Sequence, residues 1–319
     1  MAARLIPSDR QLPVSVQAEI GAAETYASAE KADATRRAYS SDWRIFASWC
    51  AEREIDPLAA SPESTAAYLA WEADRGCRPS TLGRRVAAIR YAYKLKAVRS
   101  PTEDERVRAT LRGIRRVQGT APRQKTAATA ERVLRMVAGL PSTLKGVRDR
   151  AVLLLGFAGA FRRSELVGLD VSDVEETAEG LRVTIRRGKT DQEGKGAVLA
   201  IPRGAVACPV AALKAWLLAA EITEGPVFRP VGKGGGVAAS RLTDRSIAEI
   251  VKSNARRAGF SPSEFSGHSL RAGFLTSAAA RGANIFKMME VSRHRSVDTL
   301  RGYVRAAELF RDHAGKDLL

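Results

Sequence analysis

Cysteine is scarce in this sequence. Its 319 residues hold three (Cys50, Cys77 and Cys208), odd in number and far apart. That excludes a disulfide framework and a Cys-rich zinc site. Histidine is equally rare, at three residues, and no HExxH or Cys/His ligand spacing occurs. Apolar runs are short: the longest, Ala151 to Ala160, is half of the roughly 20 residues a membrane-spanning helix needs. The first residues, MAARLIPSDRQ, lack the apolar core of a signal peptide. GKGGG at 232–236 has neither the GK[ST] ending nor the preceding strand of a P-loop. Negative charge is also in deficit, with 35 Asp+Glu against 52 Lys+Arg, a net charge of +17 and a pI near 10.3. Since 45% of the residues are hydrophobic, this is the composition of a folded protein and not of a disordered basic one. A folded body with this surplus predicts a polyanionic partner, nucleic acid rather than a membrane. The expected location is the bacterial cytoplasm, in association with the nucleoid.

The surplus is spread along the chain, 22 basic against 15 acidic residues up to Lys125 and 30 against 20 beyond it. Both halves are therefore expected to face the polyanion. Residues 1–23 show little periodicity and read as a flexible arm. Residues 24–118 read as a compact domain of four helices. In the first of these, Tyr39, Trp43, Phe46, Ala47 and Cys50 share one face. The second opens at SPEST with a Ser cap and a first-turn Pro. Leu82, Val86, Ile89 and Tyr93 line the third. In the fourth, Val107, Leu111, Ile114 and Val117 form the apolar face, beside a stripe of Arg108, Arg112 and Arg115. Such a stripe is either a solvated face or a row of phosphate contacts, and the lack of an acidic residue within four positions of Arg112 or Arg115 favours the second. The Thr/Ala/Pro-rich stretch 119–130 reads as a linker whose Arg123 and Lys125 lie against DNA. Residues 131–319 form a mixed domain. Helices are expected near 130–139, 147–158, 208–220, 243–258, 269–281, 284–292 and 296–304, with two strands, GLRVTIRR and AVLAIP, joined by GKTDQEGKG.

Few residues are equipped for chemistry. The carboxylates Asp170, Asp173, Glu175 and Glu176 fit a solvated loop better than a two-metal site, because no second acidic motif accompanies them. His268 opens GHSLRAG, which puts Arg271 one helical turn away on the same face. Arg162 ends the apolar helix of GFAGAFRRSEL, with Glu165 one turn later and Arg163 as its neighbouring alternative. Lys189 sits in the turn between the two strands. His294 is followed nine residues on by Tyr303, in SRHRSVDTLRGYV. Tyr303 is open to two readings, packing beside Leu300 and Val304 or acting as a nucleophile.

In this order (Arg162, Lys189 in a hairpin, His268 and Arg271, His294, Tyr303) the sequence resembles the tyrosine recombinase, or phage integrase, family over residues 24–319. The resemblance implies a mainly α fold with a small β-sheet, arranged as a two-domain DNA clamp. It implies a metal-free and ATP-free transesterification with no cofactor. Arg162 and Arg271 would clamp the nonbridging phosphate oxygens, and His294 would donate a further hydrogen bond. Lys189 would protonate the leaving 5′ oxygen, His268 would act as base, Glu165 would orient the basic pocket, and Tyr303 would attack. One departure is visible: Arg293 stands where that family usually has Gly before the second His.

The implied activity is site-specific recombination through a 3′-phosphotyrosyl link and a Holliday junction, in integration, excision or resolution. The rivals are a type IB topoisomerase, which shares the chemistry, and a catalytically silent DNA-binding protein of the same fold. The separate helical domain favours recombination, as does the tail 306–319, whose Leu309, Phe310, Leu318 and Leu319 suit docking on a neighbouring subunit of a tetramer on DNA. The short N-terminal arm favours a simpler recombinase over the larger phage integrases.

Overall fold

The computed structural model describes residues 17–28, 30–121, 125–186, 188 and 196–307, and the chain divides into two units, Met1–Arg123 and Gln124–Leu319. The fold is mainly helical with one three-stranded sheet.

The first unit holds α1 (Gln17–Ser28), α2 (Asp33–Ala51), α3 (Pro62–Asp74), α4 (Pro79–Leu95) and α5 (Glu105–Gln118). Local chemistry sets the starts. Ser61 accepts from the Ser64 N–H, with Pro62 in the first turn of α3, and Asp104 accepts from Arg106 N–H at the head of α5. Apolar spacing then buries Phe46, Trp49, Tyr68, Leu82, Ile89 and Tyr93 in one core, where Phe46 and Tyr68 meet edge to face at 5.0 Å. Asp42 is buried against α4, and Arg84 neutralises it bidentately at 2.7 and 3.1 Å.

Three expectations change in this unit. Residues 17–23 are helical rather than part of a flexible arm, because AEIGAAETYA favours helix by propensity without an amphipathic pattern. Val117 is 87% exposed, so the apolar face of α5 ends at Ile114. Arg112 is not unneutralised: it pairs with Glu105, seven residues earlier and two turns up the same helix.

The second unit contains α6 (Ala130–Ala138), α7 (Leu144–Ala158), α8 (Arg163–Gly168), β1 (Val174–Glu176), β2 (Gly180–Ile185) and β3 (Ala197–Pro202). It continues through α9 (Pro209–Ala219), α10 (Asp244–Arg257), α11 (Ser269–Ala280), α12 (Ile285–Ser292) and α13 (Val297–Ala307). The antiparallel sheet has the order β1-β2-β3, with Val183 opposite both Val174 and Leu199. Leu181, Val183 and Ile185 alternate inward from β2 and join a core built on the fully apolar centre of α7. The stretch expected to be a linker to residue 130 is tied down earlier. Thr126 N–H donates to Glu264 and Ala128 N–H to Ser269, and Ala128 is fully buried. Gly273 of α11 makes that docking possible, since a Cβ there would lie 1.7 Å from the Ala128 carbonyl oxygen.

The carboxylates 170–176 are engaged by cationic side chains rather than left to solvent. Arg186 at the end of β2 bonds both Asp170 and Asp173 at 2.7 Å, and Arg241 takes the other oxygen of Asp170. Glu175 and Glu176, on the unexpected strand β1, pair with Arg182 and with Arg203 and Lys214. Among the described residues no group of His, Cys, Asp and Glu is placed to hold a metal ion, and no helix is long and apolar enough to cross a membrane.

Candidate active site

Arg162 does not end the apolar helix, as the sequence suggested. Helix α7 stops at Ala158, and a tight turn through Gly159, Ala160 and Phe161 intervenes. Ala160 takes a left-handed conformation (φ 44°), and the Phe161 ring folds back so close that a Cβ on Gly159 would lie 2.2 Å from it. Arg162 is instead the residue that caps α8. Its backbone N–H donates to Glu165 Oε2 at 2.9 Å, and its own Nη1 donates to Glu165 Oε1 at 2.5 Å. Arg163 points elsewhere, toward Asp244, with its aliphatic stem against Gly267.

Arg271, three residues into α11, is among the largest fully buried side chains of the protein, at 2% exposure. Its Nη1 donates to the Ala160 carbonyl at 2.7 Å, and its Nη2 lies 3.3 Å from each ring nitrogen of His294. Burial and then the neighbouring Arg162 and Arg293 push its guanidinium down to about 9, against the opposing pull of Glu165 and Tyr303.

His294 follows the left-handed residue that closes α12, Arg293 (φ 56°, ψ 42°). Ser292 Oγ lies 2.5 Å from the Met288 carbonyl, to which it donates, and 2.8 Å from His294 Nδ1. A hydroxyl has one proton to give, so this network assigns the proton on His294 to Nδ1 and leaves Nε2 bare. Burial, reinforced by Arg271 and Arg162, pushes the imidazole down to about 4. The ring is therefore neutral at pH 7.

His268 caps α11 and is exposed, and its charge still bears on His294. Tyr303, on α13, is partly buried beside Leu300, Leu275 and Met288, and among the described residues its hydroxyl has no hydrogen-bond partner. Its ring packs, as one of the two sequence readings expects, and the residue lies near enough to Arg271 to bear on that guanidinium. Lys189, Arg123 and the tail from residue 308 lie outside the described residues. Lys125 donates to the Ser263 carbonyl at 2.6 Å, while Arg108 and Arg115 are exposed on α5.

Sequence reasoning missed the part played by Arg293. Its guanidinium turns inward, bonds Glu165 Oε2 at 2.7 Å and packs over the Phe161 ring. Burial alone would raise the Glu165 carboxyl, yet Arg293 and then Arg162 hold it below the usual carboxylate range. The site is therefore three largely buried guanidiniums beside one carboxylate, which pairs with Arg162 and Arg293 while Arg271 lies next to them. Such an arrangement carries uncompensated positive charge and suits a tetrahedral or pentacoordinate oxyanion.

The chain as a whole resembles known proteins in sequence and in fold. Residues 127–309 match the phage integrase family. The chain is 40% identical to an integrase/recombinase XerD homolog of Selenomonas ruminantium, over 89% of this chain and 85% of that one. It is 30% identical to a tyrosine recombinase of Synechococcus elongatus, over 89% of this chain and 88% of the relative. In fold it is similar to a lambda integrase dimer solved bound to a core site, with a TM-score of 0.59 and 14% identity, covering 93% of this chain and 82% of that one. The chain belongs to the phage integrase family of tyrosine recombinases.

Proposed function

We propose that this protein is a site-specific DNA recombinase that cuts and rejoins duplex DNA through a covalent 3′-phosphotyrosyl intermediate. The observation that carries the reading is the excess of guanidinium over carboxylate at the largely buried Arg162, Arg271 and Arg293, beside Tyr303, whose hydroxyl has no hydrogen-bond partner among the described residues. A scissile phosphate would supply the missing anion.

In the first step the Tyr303 oxygen attacks phosphorus, its proton passing to His268 or solvent, and the bond to the 5′ oxygen breaks. Lys189, on the segment between β2 and β3, gives that oxygen its proton. Arg162 and Arg271 hold the nonbridging oxygens, where forked donors suit the equatorial plane better than an ammonium. His294 enters with Nε2 bare, so the arriving phosphate must raise its affinity for a proton before it donates there. In the second step the 5′ hydroxyl of a partner strand attacks the phosphotyrosine, the phosphorus–phenol bond breaks, and strands are exchanged through a Holliday junction. The phosphodiester energy is kept in the covalent link, so neither ATP nor a metal enters these steps.

The helical first unit, with Arg108 and Arg115 exposed on α5, would grip the duplex, and the tail 306–319 would dock on a neighbouring subunit to give a tetramer on DNA. The test uses a pool of nicked duplexes with a randomised central segment. The protein is expected to capture a subset covalently, and Tyr303→Phe to capture none. No adduct from the native protein, or one that persists in Tyr303→Phe, overturns the proposal. Relaxation of supercoiled DNA without sequence-dependent joining would assign the chemistry to a topoisomerase instead.

A further inference from the structure

A left-handed backbone is an unfavourable place for an arginine, and Arg293 occupies one at φ 56° and ψ 42°. Glycine would close α12 there without strain. What the arginine contributes is visible in its contacts. Nη1 donates to the carbonyls of Val291 and Gly159 at 2.6 and 3.2 Å. Nη2 donates to the Ala160 carbonyl at 3.2 Å and to Glu165 Oε2 at 2.7 Å. The Nε has no partner among the described residues, so the two Nη groups alone fix the guanidinium.

Two of these contacts, with Glu165 and with the Ala160 carbonyl, lead to residues that would handle phosphate. Glu165 grips Arg162 by backbone and side chain, and Arg162 Nη2 reaches back to the Arg293 carbonyl at 3.4 Å. Arg162, Glu165 and Arg293 thus form a closed ring of contacts. The Ala160 carbonyl that Arg293 holds is the one that anchors Arg271. His294 is the next residue along the backbone, its N–H donating to Met289 as the left-handed turn requires.

We infer that Arg293 is a positioning residue for strand cleavage: its guanidinium locks Glu165 and the Ala160 carbonyl, and through them fixes Arg162 and Arg271 against the scissile phosphate. Both of its Nη groups are committed to Glu165 and to backbone carbonyls, so it acts through those partners rather than on the substrate. This inference rests on the strand-transfer reading above.

Arg293→Gly is the discriminating variant. It keeps the left-handed turn, the carbonyl that meets Arg162 and the placement of His294, and removes only the guanidinium. The substrate is the sequence captured from the randomised pool, made as a nicked duplex and cleaved in single turnover. Arg293→Gly is expected to slow adduct formation at least tenfold while DNA affinity stays within twofold. Arg293→Lys is expected to recover part of that loss, since an ammonium reaches Glu165 but does not span to Ala160. In a Glu165→Gln background, Arg293→Gly should cost less than in the native protein, because the Glu165 link is already weakened and only the Ala160 link remains to be lost. Cleavage by Arg293→Gly within twofold of the native rate overturns the inference, and so does an undiminished loss in the Glu165→Gln background. Native protein that forms no adduct removes the strand-transfer reading itself, and this inference with it.

Discussion

Glu165 holds Arg162 twice, with one carboxylate oxygen on the backbone N–H at 2.9 Å and the other on the guanidinium at 2.5 Å. The side chain that would meet phosphate is thereby fixed to the first turn of α8, and its rotamer is set before any substrate arrives.

Removing that carboxylate should therefore unsettle the fold as well as the chemistry. Glu165→Ala leaves the largely buried Arg162 and Arg293 without their anion, and breaking a buried pair in this way costs about 3–5 kcal/mol. Urea denaturation should show a lowered midpoint. Added sulfate should restore part of it in the variant by occupying the vacated charge.

Arg271 separates affinity from catalysis. Arg271→Ala and Arg271→Lys both lose the forked donor, and the expected fall in single-turnover cleavage is about 100-fold or more. Binding to the same duplex should change only a few-fold, because the exposed cations carry it. Gel-shift and adduct assays on one substrate check both.

His294 gives the protein an acid-sensitive window. The native ring releases its proton near pH 4, whereas an ordinary histidine holds it up to about 6.5. Between those values the unfolded chain binds more protons, so stability is intact above pH 6.5 and declines as the pH falls toward 4. In His294→Asn that part of the decline should disappear, as denaturation midpoints at pH 7 and pH 4.5 would show.

Gly273 is a steric requirement. A methyl there would meet the Ala128 carbonyl at 1.7 Å, backbone against backbone, with no flexible side chain to yield. Gly273→Ala should destabilise the second unit by about 1–3 kcal/mol or more and expose the 125–130 segment to proteolysis, measurable by limited digestion.

The stripe on α5 is not uniform. Arg108→Ala and Arg115→Ala should each reduce the salt slope of binding to a generic duplex by about 0.9 for every phosphate the arginine neutralises. Arg112→Ala should reduce it less, since Glu105 already engages that side chain. Equal effects at all three positions would contradict this.

What the sequence disclosed and what it withheld follow from the range of each interaction. The sequence singled out Arg162, Glu165, Arg271 and His294, and the fold brings these four into one cluster. The break between α7 and α8 was hidden, since an alanine in a left-handed conformation leaves no mark in a run as apolar as GFAGAF. The Glu105–Arg112 pair spans more than the three or four positions usual for helical ion pairs, although two turns of helix bring such residues onto one face. The Arg186 clamp on Asp170 and Asp173 joins β2 to residues ahead of β1, and no periodicity encodes it. Arg293 was conspicuous as a substitution, but the direction of its side chain depends on Glu165, 128 positions away.

Those separations also govern when the charge cluster comes into being. Arg271 finds Ala160 across 111 residues, and Arg162 meets the Arg293 carbonyl across 131. Closing loops of that size delays such contacts relative to the helices and the β2–β3 hairpin, whose partners are local. A nascent or partly folded chain therefore has its arginines and its tyrosine, but not their arrangement. The charge cluster is complete only when the last long-range contacts have formed.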